Sequence, residues 1–148
     1  MTQNTKAASY EQVLKQVRSL AEETDQIAVL ANVAAVIHRE FNFWWTGFYL
    51  VKGDELVLGP FQGPVACTRI KKGRGVCGTA WNEDRTIVVP DVEEFPGHIA
   101  CSSASRSEIV VPMRRAGKIV GVLDIDSEFL STFDEVDAEW LGKIVEVL

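Results

Sequence analysis

The chain has no apolar run approaching the roughly 18 to 20 residues that a membrane-spanning helix needs. Its opening Met1-Thr2-Gln3-Asn4-Thr5-Lys6 is polar, with no signal-peptide core behind it. A soluble, cytoplasmic protein without a membrane partner is therefore expected. It also lacks a basic surface: 15 Lys and Arg stand against 21 Asp and Glu, a net charge of −6. Only Lys71, Lys72 and Arg74 form a dense basic run, which a solvated loop explains, so no nucleic-acid partner is expected. Cysteine and histidine are scarce as well. Three cysteines are an odd number in a chain with no export signal, which argues for thiols over a static disulfide framework. Cys67, Cys77 and Cys101 fit no paired C-x-x-C pattern, and His38 and His98 do not readily complete a four-ligand zinc site, so no metal is expected.

What is present suits one compact domain over residues 1–148. Apolar residues make up 47% of the 148, enough for a substantial core. Ser9-Tyr10-Glu11-Gln12 reads as a capping box before Val13, Leu14, Val17 and Leu20, predicting a helix over 9–23. Asp25 is placed to cap a second, largely buried helix carrying Ile27, Leu30, Val33, Ala34 and Ile37. His38 falls near its end, where it would interact with the macrodipole. From Phe43 the period changes to two, and Trp44 to Val51, the turn Lys52-Gly53-Asp54 and Glu55 to Leu58 predict a β-hairpin. Gly59 to Pro64 should break it. A short strand carrying Cys67 is expected at Val65–Ile70, a short helix from Cys77 to Trp81, and a strand at Ile87–Val89. Residues 91–106 read as a long functional loop. A second hairpin, 109–113 with 118–125, and a helix opened by the capping box Thr132-Phe133-Asp134-Glu135 complete the chain. The expected class is α+β: a mostly antiparallel sheet of five or six strands, with the N- and C-terminal helices on one face and long loops over the other.

Several residues carry chemistry. Cys101 lies in a loop of small and polar residues, where a free cysteine kept only for packing is out of place. For Cys67 packing and redox roles weigh equally. Cys77, among Val76 and Gly78 at a helix start, reads as a small core residue whose neighbouring amides could bind an anion. Asp124 and Asp126 share one face of the strand Gly121–Asp126, opposite Leu123 and Ile125. A solvated sheet face explains them as well as a cationic ligand does. Glu108 could converge with them, and such a set would suit a metal or a ligand ammonium, with the ammonium favoured by the want of histidines. Trp45 and Tyr49 share a face that reads as core, with an aromatic wall for a sulfur or cationic group as the alternative.

The segments WTGFYL, LVLGPFQG, VACTRI, GRGVCGTA, DVEEFPGHIACSSASRSEIVVP and GVLDIDS, from about Trp45 to Phe133, resemble the free methionine-(R)-sulfoxide reductases, a class of stand-alone GAF domains. The resemblance implies a catalytic Cys101, a resolving Cys67 and Cys77 as a possible alternative resolver. It implies that Glu108, Asp124 and Asp126 hold the free amino acid, with Glu108 or Asp126 supplying a proton, and that Trp45 and Tyr49 wall the methylsulfinyl end. The implied reaction converts free L-methionine-(R)-sulfoxide to L-methionine through a sulfenic acid and an intramolecular disulfide. No bound cofactor is implied; an external dithiol, thioredoxin and ultimately NADPH, would reset the enzyme. A homodimer is the expected assembly. A sensory GAF module that binds a small molecule without turnover, or a thiol redox sensor, are the rival readings.

Overall fold

Strand alternation builds this molecule. In the computed structural model, which describes residues 1–98 and 104–148, six strands form one antiparallel sheet. They are β1 (Trp45–Lys52), β2 (Glu55–Gln62), β3 (Arg69–Lys71), β4 (Ile87–Val89), β5 (Ser107–Arg115) and β6 (Lys118–Ser127), in the order β3-β2-β1-β6-β5-β4. The four α-helices are α1 (Gln3–Leu20), α2 (Gln26–Phe41), α3 (Gly75–Glu83) and α4 (Glu135–Val147). One 3-10 turn, Val92–Glu94, lies in the segment after β4. Among the described residues no helix is long and apolar enough to cross a membrane.

One face of the sheet is covered by helices. α2 lies on β1 and β2, α4 lies on β5, and α1 packs against both helices. Phe48 from β1, Ile109, Val111 and Met113 from β5, and Leu123 and Ile125 from β6 enter this layer and are fully or almost fully buried. They meet Val33 and Ile37 of α2 and Leu141 and Ile144 of α4. The alternate residues of the same strands point the other way. Trp45, Tyr49, Val110 and Val122 join Val76, Cys77, Ala80 and Trp81 of α3 in a second, smaller core.

The expected α+β architecture is therefore present, with differences at its edges. α1 starts six residues before Ser9 and ends at Leu20, not residue 23. Its N-cap is Thr2, whose side chain accepts the Thr5 amide. Its first turns are held by a tertiary contact that no apolar pattern reports. Lys6 Nζ lies 2.7 Å from Asp137 Oδ2, and Tyr10 Oη donates to Asp137 Oδ1 at 2.6 Å. Asp25 caps α2 as expected, accepting from the Ala28 amide at 3.0 Å. α4 is capped by Asp134 rather than Thr132, in a capping box completed by Asp137. The first hairpin turns where the sequence places it, but β2 runs on through Gly59 and Pro60 to Gln62. The strand expected at Val65–Ile70 is confined to Arg69–Lys71, so Cys67 sits in irregular backbone before it. The opposite face carries α3 as well as loops. His38 Nδ1 lies 3.0 Å from Thr46 Oγ1, a contact from α2 to the sheet in place of a purely dipolar role.

Candidate active site

Strand β1 and the β5–β6 hairpin, far apart in the chain, put the candidate residues in two adjacent rows. In the first, Trp45 of β1 faces Asp126 of β6, and Asp126 faces Glu108 of β5. In the second, two residues along each strand, Gly47 faces Asp124 and Asp124 faces Val110. Because strand residues alternate, both rows point to the α3 side. Gly47 leaves room for an indole. A Cβ there would lie 2.4 Å from Phe61 Cβ and 2.6 Å from Trp45 Cη2, so the Trp45 ring covers the position where a side chain would be.

The aromatic wall is braced at both polar ends. Trp45 stacks on Phe61 at 5.3 Å between centroids and faces Tyr49 at 5.9 Å. Trp45 Nε1 donates to the Pro64 carbonyl at 3.0 Å, and Tyr49 Oη donates to the Cys67 carbonyl at 2.8 Å. Two members of the wall thus fix the segment that carries Cys67. Tyr49 is buried, and burial together with the nearby Asp124 keeps its phenol protonated.

From above, α3 brings its N-terminal turn onto β5 and β6. Gly75 makes the entry with φ 63°, and Gly78 presses on the turn before the helix, where a Cβ would fall 2.5 Å from the Lys71 carbonyl oxygen. This close seat delivers Cys77 to the acids. One ligand atom each from Cys77, Glu108 and Asp124 lie within 4.8 Å of one another, and all three residues are buried.

The carboxylates have few partners. Glu108 and Asp124 are each only 6% exposed, which overturns the solvated-face reading for Asp124, while Asp126 is half-buried. Ser105 Oγ donates to Asp126 Oδ1 at 2.7 Å. Asp124 lies beside the Glu108 carboxyl and the Cys77 thiol, which favour its charged form, yet its Oδ1 is buried without any partner among the described residues. No lysine or arginine among the described residues pairs with any of the three. Burial raises the pKa of all three, and for Glu108 and Asp126, which lie well above the ordinary carboxylate value, the charge of Asp124 adds to it. Burial likewise pushes the Cys77 thiol well up. The cluster therefore holds protons and one unmatched acceptor, an arrangement suited to receiving a cation and donating a proton.

Sequence comparison agrees with this geometry. The GAF domain family model matches residues 25–148. The free methionine-R-sulfoxide reductase of Escherichia coli is 48% identical over 130 residues, covering 87% of this chain and 79% of that protein. The solved structure of the free methionine-R-sulfoxide reductase from Neisseria meningitidis, in complex with its substrate, superposes with a TM-score of 0.94 at 59% identity, covering 96% of this chain and 87% of that one. The chain belongs to the free methionine-R-sulfoxide reductase family of GAF domains. A GAF domain-containing protein A of Dictyostelium discoideum, 57% identical, covers all of this chain and 95% of its own length.

The structure brings together Trp45, Tyr49, Cys77, Glu108, Asp124 and Asp126 around one pocket. Cys67 approaches through its carbonyl contact with Tyr49; it is disulfide-bonded, whereas Cys77 is a free thiol. Cys101 lies outside the described residues. Sequence reasoning missed Arg74, His98 and Ser105, which also line the pocket. In the sequence Arg74 falls in a basic loop run, although its place immediately before the glycine that opens α3 is a usable signal. Burial lowers the His98 pKa, with Asp124 opposing the shift.

Proposed function

We propose that this chain reduces free L-methionine-(R)-sulfoxide to L-methionine, with Cys101 as the nucleophile. The observation that carries the reading is the buried, cation-free acid cluster with the orphan Asp124 Oδ1, facing the Trp45 and Tyr49 wall. The substrate ammonium would pair with Asp124 and its neighbours, and the methylsulfinyl group would rest on the aromatic faces. Arg74 and the N-terminal amides of α3 stand on the same pocket with the charge to receive the α-carboxylate. A peptide-bound sulfoxide offers no ammonium and buries the acids unpaired, so selectivity for the free amino acid follows.

In the chemical step the Cys101 thiolate attacks the sulfoxide sulfur, and Glu108 or Asp126, held protonated by burial, donates to the sulfoxide oxygen. The oxygen ends on Cys101 as a sulfenic acid, and methionine leaves. The Cys67 thiol then displaces water from the sulfenic acid and forms a disulfide. Burial keeps the Cys77 thiol protonated, which disfavours it as an alternative resolver. A dithiol, thioredoxin and ultimately NADPH, restores both thiols by exchange, and no bound cofactor is required. That dependence suits a reducing, cytoplasmic setting. The ties from Lys6 and Tyr10 to Asp137 support residues 1–148 as one domain. The groove between α1 and α2, with Leu20, Ala35 and Val36, and the exposed Ile27 favour a homodimer.

Incubation with free methionine-(R)-sulfoxide and dithiothreitol, followed by assay of methionine, tests the activity. Turnover of the free amino acid but not of its N-acetylated form is expected. Absence of product, or full turnover by Cys101→Ser, would overturn the proposal.

A further inference from the structure

The acid cluster holds a soft ligand atom that an ammonium does not use. Cys77 reaches the same point as Glu108 and Asp124 although it comes from α3 and they come from β5 and β6. We propose that Cys77, Glu108 and Asp124 form a binding site for a soft divalent cation of the zinc or cadmium class, and that the ion excludes the ammonium of the amino acid. The site is one thiol sulfur and two carboxyl groups, and the spread of their ligand atoms is at most 4.8 Å. In a tetrahedral zinc site, bonds of about 2.0 to 2.3 Å put ligand atoms about 3.5 Å apart, so small side-chain rotations close the triad around an ion. A thiolate selects soft ions over magnesium or calcium, and the two carboxylates complete a negative set.

Independent support comes from Asp124. Its residue is 6% exposed, it lines the pocket, and Oδ1 has no hydrogen-bond partner among the described residues. A buried carboxylate oxygen left in this state has a place for a cation. The pocket these residues line, shared with His98 and Arg74, provides the entry path and leaves a fourth coordination position to solvent. On binding, the ion takes the place of the protons on these three groups, which pass to solvent. Ion and ammonium compete because both are held by Asp124. That exclusion rests on the functional reading above; the ion site itself does not.

The double variant Cys67→Ser/Cys101→Ser leaves Cys77 as the only thiol of the chain. Titrating it with cadmium should give one ion per chain and the ultraviolet sulfur-to-cadmium charge-transfer band. Saturating free methionine-(R)-sulfoxide should weaken the ion by at least about tenfold, and adding Asp124→Asn, an isosteric change, by about tenfold or more. Absence of the band in the folded double variant overturns the site, as does a band unaffected by Asp124→Asn. Simultaneous binding of ion and sulfoxide overturns the exclusion. A cadmium site in a protein that binds no sulfoxide supports the site and removes the functional reading instead.

Discussion

The two faces of the central sheet are built from the same strands and have opposite character. On the helix side Phe48, Ile109, Leu123 and Ile125 belong to one large apolar cluster. One residue along, on the α3 side, Glu108, Asp124 and Asp126 are placed in an environment that opposes their ionisation. The first face is a stable core whose buried polar groups, Thr46 and Ser107, have hydrogen-bond partners. The second leaves Asp124 Oδ1 without one among the described residues, and it does so where the aromatic wall and the Cys67 segment converge. Local conflict of this kind marks function in a fold that is otherwise consistent. Stability and activity should therefore respond to substitution independently, even at adjacent residues of β6.

The largest expected effect is on the α3 side. Cys101→Ser should lower turnover of free methionine-(R)-sulfoxide by at least about a thousandfold, with the melting temperature nearly unchanged. A melting temperature that falls with activity would show that Cys101 serves the fold. Across β6, Leu123→Ala should cost about 3 kcal/mol in denaturant unfolding, because it opens a cavity in the helix-side core. The Michaelis constant of the remaining folded enzyme should be close to that of the parent; a large rise would mean that the two faces are coupled. Asp124→Asn, the next residue, should do the reverse. The expected change is a rise in the Michaelis constant worth about 2 kcal/mol, with a smaller change in kcat and no loss of stability.

The smallest effect is on pH dependence. The folded chain keeps protons on Glu108 and Asp126 that the unfolded chain gives up from about pH 4. Unfolding then releases protons, so stability without substrate should fall as pH rises from that value through the raised folded pKa values. Glu108→Gln should flatten the fall by about 1 kcal/mol over two pH units. Equal slopes for parent and variant would place the proton uptake elsewhere.

Much of this contrast was legible in the sequence, and its limits have physical causes. Alternation assigned Trp45 and Tyr49 to one face and Phe48 to the other, and put Asp124 and Asp126 opposite Leu123 and Ile125; the structure agrees. Local chemistry also located the Asp25 cap and the first hairpin turn. Alternation says which residues share a face but not what covers it, so burial of the acids waited on the position of α3. The meeting of Cys77 with Asp124 depends on the seating of Gly78 against the Lys71 carbonyl, a tertiary contact with no local signature. The first turns of α1 were missed because Asp137, far along the chain, holds them. Cys67 was given a strand because Val65 to Ile70 has strand composition, yet only its last residues pair with β2.

Pairing of β1 with β6 at the centre of the sheet also governs when the site comes into being. Trp45 meets Asp126 only after nearly all of the intervening chain has been made and folded back. Loop closure of that length is slow and must precede the contacts that reward it. A nascent or truncated chain lacking β6 has thiols but no acid cluster and no completed wall. The pocket proposed for the substrate thus forms in the same event that completes the sheet.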